Sequence, residues 1–96
     1  AFSENKINNI VMGIGLKRID VFAFENNLLD YNTFPNFSNV PIANNLFLGN
    51  NVFFQNYING DDAQLQLLVE NKKIPGVLGR PGGVKSILGK QHPPNS

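Results

Sequence analysis

Cysteine and tryptophan are absent from this 96-residue chain, and histidine occurs once, as His92. Without cysteine there is no disulfide scaffold and no thiolate metal site, and the redox compartment is left open. One histidine cannot complete a zinc set, nor a histidine-based catalytic triad on a proline-rich terminus such as Lys90-Gln91-His92-Pro93-Pro94. The expectation for His92 is a solvent-exposed residue. Charge is also scarce, at 16% of residues against the usual quarter. No apolar run approaches the ~20 residues that cross a bilayer, so any membrane association expected here is peripheral.

Asparagine occupies much of the space that charge leaves. There are sixteen, and their short amides bond to nearby backbone and tolerate left-handed conformations, so frequent bends and few helices are expected. The apolar fraction of 42% lies near the ordinary globular value. A chain this short forms one modest core at most.

The formal charge of +1 hides an asymmetry. Residues 1–70 hold all seven acids against three bases, a net −4; residues 71–96 hold five bases and no acid, a net +5. The basic part is also rich in glycine and proline, which break regular elements. Short apolar groups survive there as Val77-Leu78, Val84 and Ile87-Leu88. The domain organisation expected is therefore a small β-rich domain over 1–73 and an extended basic Gly/Pro-rich arm over 74–96.

Within the body, Asn-Asn followed by two apolar residues recurs at Asn8-Asn9, Asn26-Asn27, Asn44-Asn45 and Asn50-Asn51. The first three lie 18 residues apart, a spacing that would suit a hexapeptide-type β-solenoid with stacked Asn ladders. The intervening positions do not repeat, so the simpler reading is a set of polar turns delivering the chain into short strands. Candidate strands are 10–24, 28–34, 40–42, 46–48 and 52–58. A helix is expected near 61–73: Gly60-Asp61-Asp62 offers an N-cap, Leu65, Leu68 and Val69 fall at i, i+3 and i+4, and Lys72-Lys73 suit the C-terminal dipole. The same stretch also alternates, which leaves a strand as the competing reading. The fold class expected is small β-rich (α+β): a meander of short strands with one short helix and an extended C-terminal arm.

Candidate chemistry is sparse. Asp61-Asp62 is the one adjacent carboxylate pair, and its Asn-Gly-Asp-Asp context suits a turn and helix cap better than a calcium loop. Gly13-Ile14-Gly15 lacks the third glycine of a dinucleotide fingerprint. In Gly79-Arg80-Pro81-Gly82-Gly83-Val84-Lys85-Ser86 the Gly-Lys-Ser order of a phosphate loop is broken by Val84. Asn36-Phe37-Ser38 is a formal glycosylation sequon, but about one such match arises by chance in so Asn-rich a chain. No catalytic residue, metal or cofactor is expected.

What remains points to macromolecular contact. Phe34 and Phe37 flank Pro35 in an expected turn and are hard to bury locally. Adjacent Phe53 and Phe54 would point to opposite faces of a strand, which puts one of them outside a one-sided core. These four, with Lys72, Lys73, Arg80, Lys85 and Lys90, are the candidate partner-binding residues: an apolar face and a basic arm. The expected function is a non-enzymatic accessory subunit of a large multi-subunit complex, with other protein subunits as partners and an acidic protein or lipid-headgroup surface as a site for the arm. Nucleic acid is a weaker partner, since five cations over 26 residues with no aromatics make few phosphate contacts. The rivals from other classes are a ribosomal or RNA-binding protein, an internal viral capsid peptide and a free secreted binding module.

The first residues carry neither an initiator Met nor an apolar signal core, as in a mature product whose leader has been removed. The Ala1-Phe2 start resembles the mature ends of plastid proteins in red-lineage algae. That resemblance implies a plastid location and, with no membrane span, a peripheral subunit of a photosystem or light-harvesting complex. A picornavirus-like polyprotein cleavage or a secretory cleavage would leave a similar end.

Overall fold

In the computed structural model, which describes Phe2 and residues 4–94, four short segments of similar sequence lie one above another. They are Phe2 with residues 4–7, Phe24–Leu29, Phe53–Ile58 and Leu88–Pro93, here called rungs 1 to 4. Each begins with Phe or Leu, and three residues later carries Asn5, Asn27, Asn56 or Gln91. Two residues beyond that stands Ile7, Leu29, Ile58 or Pro93. The starts are separated by 22, 29 and 35 residues, so no fixed period announces them.

In rungs 2 to 4 the polar residue ties the rung to the one before. Asn27 Oδ1 accepts from the backbone N–H of Asn5 and Ile7, while its Nδ2 donates to the Phe24 and Phe2 carbonyls. Asn56 Oδ1 accepts from Leu29 N–H, and its Nδ2 donates to the Phe53 and Phe24 carbonyls. Gln91 repeats the scheme with Ile58 N–H and the carbonyls of Leu88 and Phe53. Backbone bonds run alongside: Glu4 to Glu25 (2.9 Å), Asn26 to Phe54 (2.8 Å) and Gln55 to Lys90 (2.7 Å) join successive rungs, donor named first. Asn27 and Asn56 are 1% and 0% exposed, so these amides replace water for backbone that would otherwise be orphaned.

Backbone conformation repeats even where sequence does not. Glu4, Asn26 and Gln55, each just before the ladder residue, have φ of 58°, 56° and 54°. Phe22 and Asn51, each five residues before it, both have φ of 57°. Left-handed residues bend the chain and prevent long strands. Phe22 and Gln55 break the expected strands over 10–24 and 52–58, a turn at Asp30–Thr33 breaks 28–34, and a 3₁₀ helix takes Ile42 from 40–42. With 46–48, the expected strands thus reduce to two pieces: β1 (Arg18–Ile19) and β2 (Phe47–Leu48). They pair in parallel, Arg18 with Phe47 and Ile19 with Leu48, whereas neighbouring strands of a meander run antiparallel. The 29-residue offset of that pair equals the spacing of rungs 2 and 3.

The interior follows the stack. Phe24 and Phe53 are stacked 5.8 Å apart with planes within 11°, Phe34 packs on Phe53 at 4.7 Å, and half-exposed Phe2 lies on Phe24 at 5.5 Å at the open end. Leu29, Leu48, Val52 and Ile58 extend this core. The rungs also approach closely at Gly49, where a Cβ would stand 2.6 Å from the backbone nitrogen of Val21.

The helix expected near 61–73 spans Asp62–Lys72 (α1), and it buries Leu65, Leu68 and Val69. Asp61 and Gln64 form a reciprocal capping box, and Lys73 closes the helix in a left-handed conformation. Asp61→Ala removes the bond to the Gln64 N–H and is expected to cost about 1 kcal/mol of stability, measured by urea unfolding.

The stretch beyond residue 73 is packed into the body. Ile74, Val77, Ile87 and Leu88 belong to the same core, and a second helix, α2 (Lys85–Leu88), leads into rung 4. An extended arm over 74–96 is thus corrected to a closing segment over the described residues 74–94. The apolar groups spaced between its glycines and prolines supply the burial that holds it. The radius of gyration, 12.3 Å, is that of a compact chain of this length. Ala1 of the Ala1-Phe2 start, Ser3, and Asn95 and Ser96 at the other end lie outside the described residues.

Candidate functional site

The turn that follows rung 2 leads through Asn36, whose side chain accepts from Ser38 N–H at 2.7 Å, to a one-turn 3₁₀ helix at Ile42–Asn44. The N-terminal end of this helix is fixed by Pro41, and Asn45 closes it with φ of 51°. Asn44 sends its side-chain amide across to the carbonyls of Ile14 and Leu16, at 2.8 and 3.0 Å. That bond holds the 13–16 turn beside the helix carrying Ile42. A strand over 40–42 would have put Ile42 on the same side as Val40; the tight turn aims it outward instead.

Ile42 is 92% exposed, and Ile14, in the turn that Asn44 pins, is 76% exposed. Next to Ile42 lies a hollow of about 710 Å³ with Phe37, Val40, Leu46, Ile74 and Pro75 on its walls and Lys73 at its rim. A second hollow of about 430 Å³ shares Leu46, Pro75 and Gly76 with the first and ends at Asn50, Arg80 and Pro81. Together they form one furrow, half open to solvent, whose lining includes no Asp or Glu.

The two cations of the furrow differ. Arg80 is committed to the fold: it donates to the Leu48 carbonyl through Nη1 and to Asn50 Oδ1 through Nη2 at 2.8 Å. Lys73 is exposed and makes no ion pair among the described residues.

The expected partner-binding residues are dispersed. Phe34, Phe37 and Phe53 are buried, so an exposed apolar face built from them is corrected: rung stacking, which local reading of a turn does not reveal, gives all three an interior. Phe37 is fixed by its N–H donating to the Lys72 carbonyl at 2.7 Å, and its ring reaches the furrow floor. Phe54 is half-buried with its ring edge-on to Phe22 at 5.5 Å. Lys72 is half-buried, and Lys90 is exposed. Lys85 binds Asp62 at 2.7 Å, which holds the Asp62 carboxyl below its usual range and raises the Lys85 ammonium, in each case through the hydrogen bond first and the opposite charge second. Of all these residues, the structure brings Phe37, Lys73 and Arg80 to the furrow and leaves the others away from its lining.

His92, expected to face solvent, is half-buried: its ring lies 5.3 Å from that of Tyr57 and its N–H donates to the Asn56 carbonyl. Rung 4 holds it, which terminal position did not suggest. No group of three or more His, Cys, Asp or Glu side chains among the described residues is placed to hold a metal ion. No helix of the described residues is long and apolar enough to cross a membrane. No family profile, curated protein or solved structure matches this chain.

The exposure of Ile42 and Ile14 was not expected from the sequence; each is a large aliphatic beside Pro or Gly, Ile42 after Pro41 and Ile14 between Gly13 and Gly15.

Proposed function

We propose that the chain is a non-enzymatic accessory subunit of a multi-subunit assembly, seated on a neighbouring protein through the furrow and the aliphatic rim beside it. The supporting observation is the near-complete exposure of Ile42 at the edge of an apolar hollow, with exposed Ile14 in the turn that Asn44 holds beside it. Apolar surface of this kind in a small chain marks a contact for another macromolecule.

The basic stretch adds less than its composition suggested. Of its five cations, Lys85 is paired with Asp62 and Arg80 is bound to Leu48 and Asn50, so few remain to meet phosphates. This favours protein over RNA as the partner.

The test is native electrophoresis of extract from source cells carrying an epitope-tagged chain. Migration is expected with an assembly several times heavier than the 10.6 kDa chain. Migration as the free chain under all mild salt conditions would contradict the proposal.

A further inference from the structure

We infer that the occupant of the furrow is an extended segment of the neighbouring subunit in which large apolar side chains are interspersed with carboxylates. The inference rests on the accessory-subunit reading and adds the chemistry of what that subunit receives.

Three observations carry it. The first is shape. Two apolar hollows meet at a common sill of Leu46, Pro75 and Gly76, and both are open along one side. A site for a small molecule or a fatty acid encloses most of its ligand; an open two-hollow furrow instead suits a chain laid across it, with one apolar side chain in each hollow. The second is charge. Among the described residues no acid lines the furrow and Lys73 stands at one end without an ion-pair partner, and Arg80 adds a second positive charge at the other end. A segment bearing carboxylates is matched to this field, and a basic one is opposed by it. The third is continuity. Ile42 rises beside the larger hollow, so a segment following the furrow covers the most exposed aliphatic residue of the protein on its way.

Why a protein segment rather than a membrane? A lipid surface is flat on this scale and would not fill the hollows behind Leu46. It would also call for several cations on one face, whereas the furrow offers two, Lys73 and the fold-bonded Arg80, at opposite ends.

The test uses the native assembly isolated through the tagged chain. Carbodiimide, which joins an amine to a carboxylate with no spacer, is applied, and linked peptides are identified by mass spectrometry. The expected result is a link from Lys73 to an Asp or Glu in a partner segment that carries large apolar residues within two or three positions. Ile42→Ser, at a position 92% exposed and outside the core, is expected to lower the yield of that link about 10-fold, as for a central contact residue. Lys73→Glu should reduce retention of the chain in the assembly by a similar factor, while Lys90→Glu, exposed and outside the furrow lining, should leave it unchanged.

A link from Lys90 but none from Lys73 would overturn the inference, as would a Lys73 partner peptide without apolar residues. Flotation of the purified chain with phosphatidylserine vesicles, abolished by Lys73→Glu and without any Lys73 link, would assign the furrow to a membrane and overturn it too. If the chain still runs with its assembly in these cases, only the inference falls. If the chain runs alone, the accessory-subunit reading falls with it.

Discussion

Asn56→Ala is expected to lower the unfolding free energy by about 3 kcal/mol, as the midpoint of a urea titration will show. The amide sits between rungs 2 and 3 with no exposure at all. Its oxygen is the partner of Leu29 N–H at 3.0 Å, and its nitrogen serves the Phe24 and Phe53 carbonyls at 2.9 and 3.0 Å. The two carbonyls keep a second donor each, from Asn27 and Gln91, so truncation orphans one group rather than three. An orphaned buried N–H costs about 1–3 kcal/mol, and the two lost bonds contribute about 1 kcal/mol each at most. Asn56→Asp is expected to be worse at neutral pH, because a carboxylate has no proton to offer the carbonyls and is buried without a counter-ion. Both effects raise the carboxyl pKa in the folded state above its unfolded value of about 3.9. The penalty is then full above the raised folded pKa and fades as pH falls toward the unfolded one, so this variant gains stability on acidification relative to Asn56→Ala.

Phe53→Ala is expected to cost about 3–5 kcal/mol, a large share of what a domain of this size possesses. Phe53 is fully buried, stacked 5.8 Å from Phe24 and packed with its ring tilted 4.7 Å from that of Phe34. Its removal opens a cavity where three rungs meet, and the neighbouring rings are held by the ladder and cannot collapse into it. Phe54→Ala, one residue on and half-buried, should cost only about 1 kcal/mol. Equal effects at the two positions, in the same urea titration, would contradict the register of rung 3.

Why was part of this visible in the sequence and part not? The helix at Asp62–Lys72 was legible because its determinants are local: a capping residue, an i, i+3, i+4 stripe and terminal lysines. Phe53 and Phe54 were expected to part because adjacent strand residues face opposite ways; residues 52–58 form a turn-rich rung instead, in which Phe53 is buried and Phe54 half-buried. The ladder was not legible. Its motif, Phe-x-x-Asn followed by Ile or Leu after one residue, occurs at 2, 24 and 53, at spacings too uneven to register as a repeat. The evenly spaced Asn-Asn pairs drew attention instead, and of these only Asn26-Asn27 contains a ladder residue. Asn44 has a different task, pinning the turn at Ile14 and Leu16. The furrow was hidden for a further reason. Its walls come from residues 37–46 and 73–76, which meet only because rung stacking and α1 bring them together. Composition read the segment after residue 73 as an arm, since glycine and proline argue against regular structure; they do not argue against burial.

The central claim, that the furrow face is where this chain meets its assembly, is tested most directly by amide hydrogen exchange of the tagged chain, alone and within the isolated native assembly. The account predicts slowed exchange in the assembly over residues 42–48 and 73–80, with the exposed first turn of α1 unchanged. Identical exchange over both furrow segments in the two states, or protection confined to α1, would contradict it.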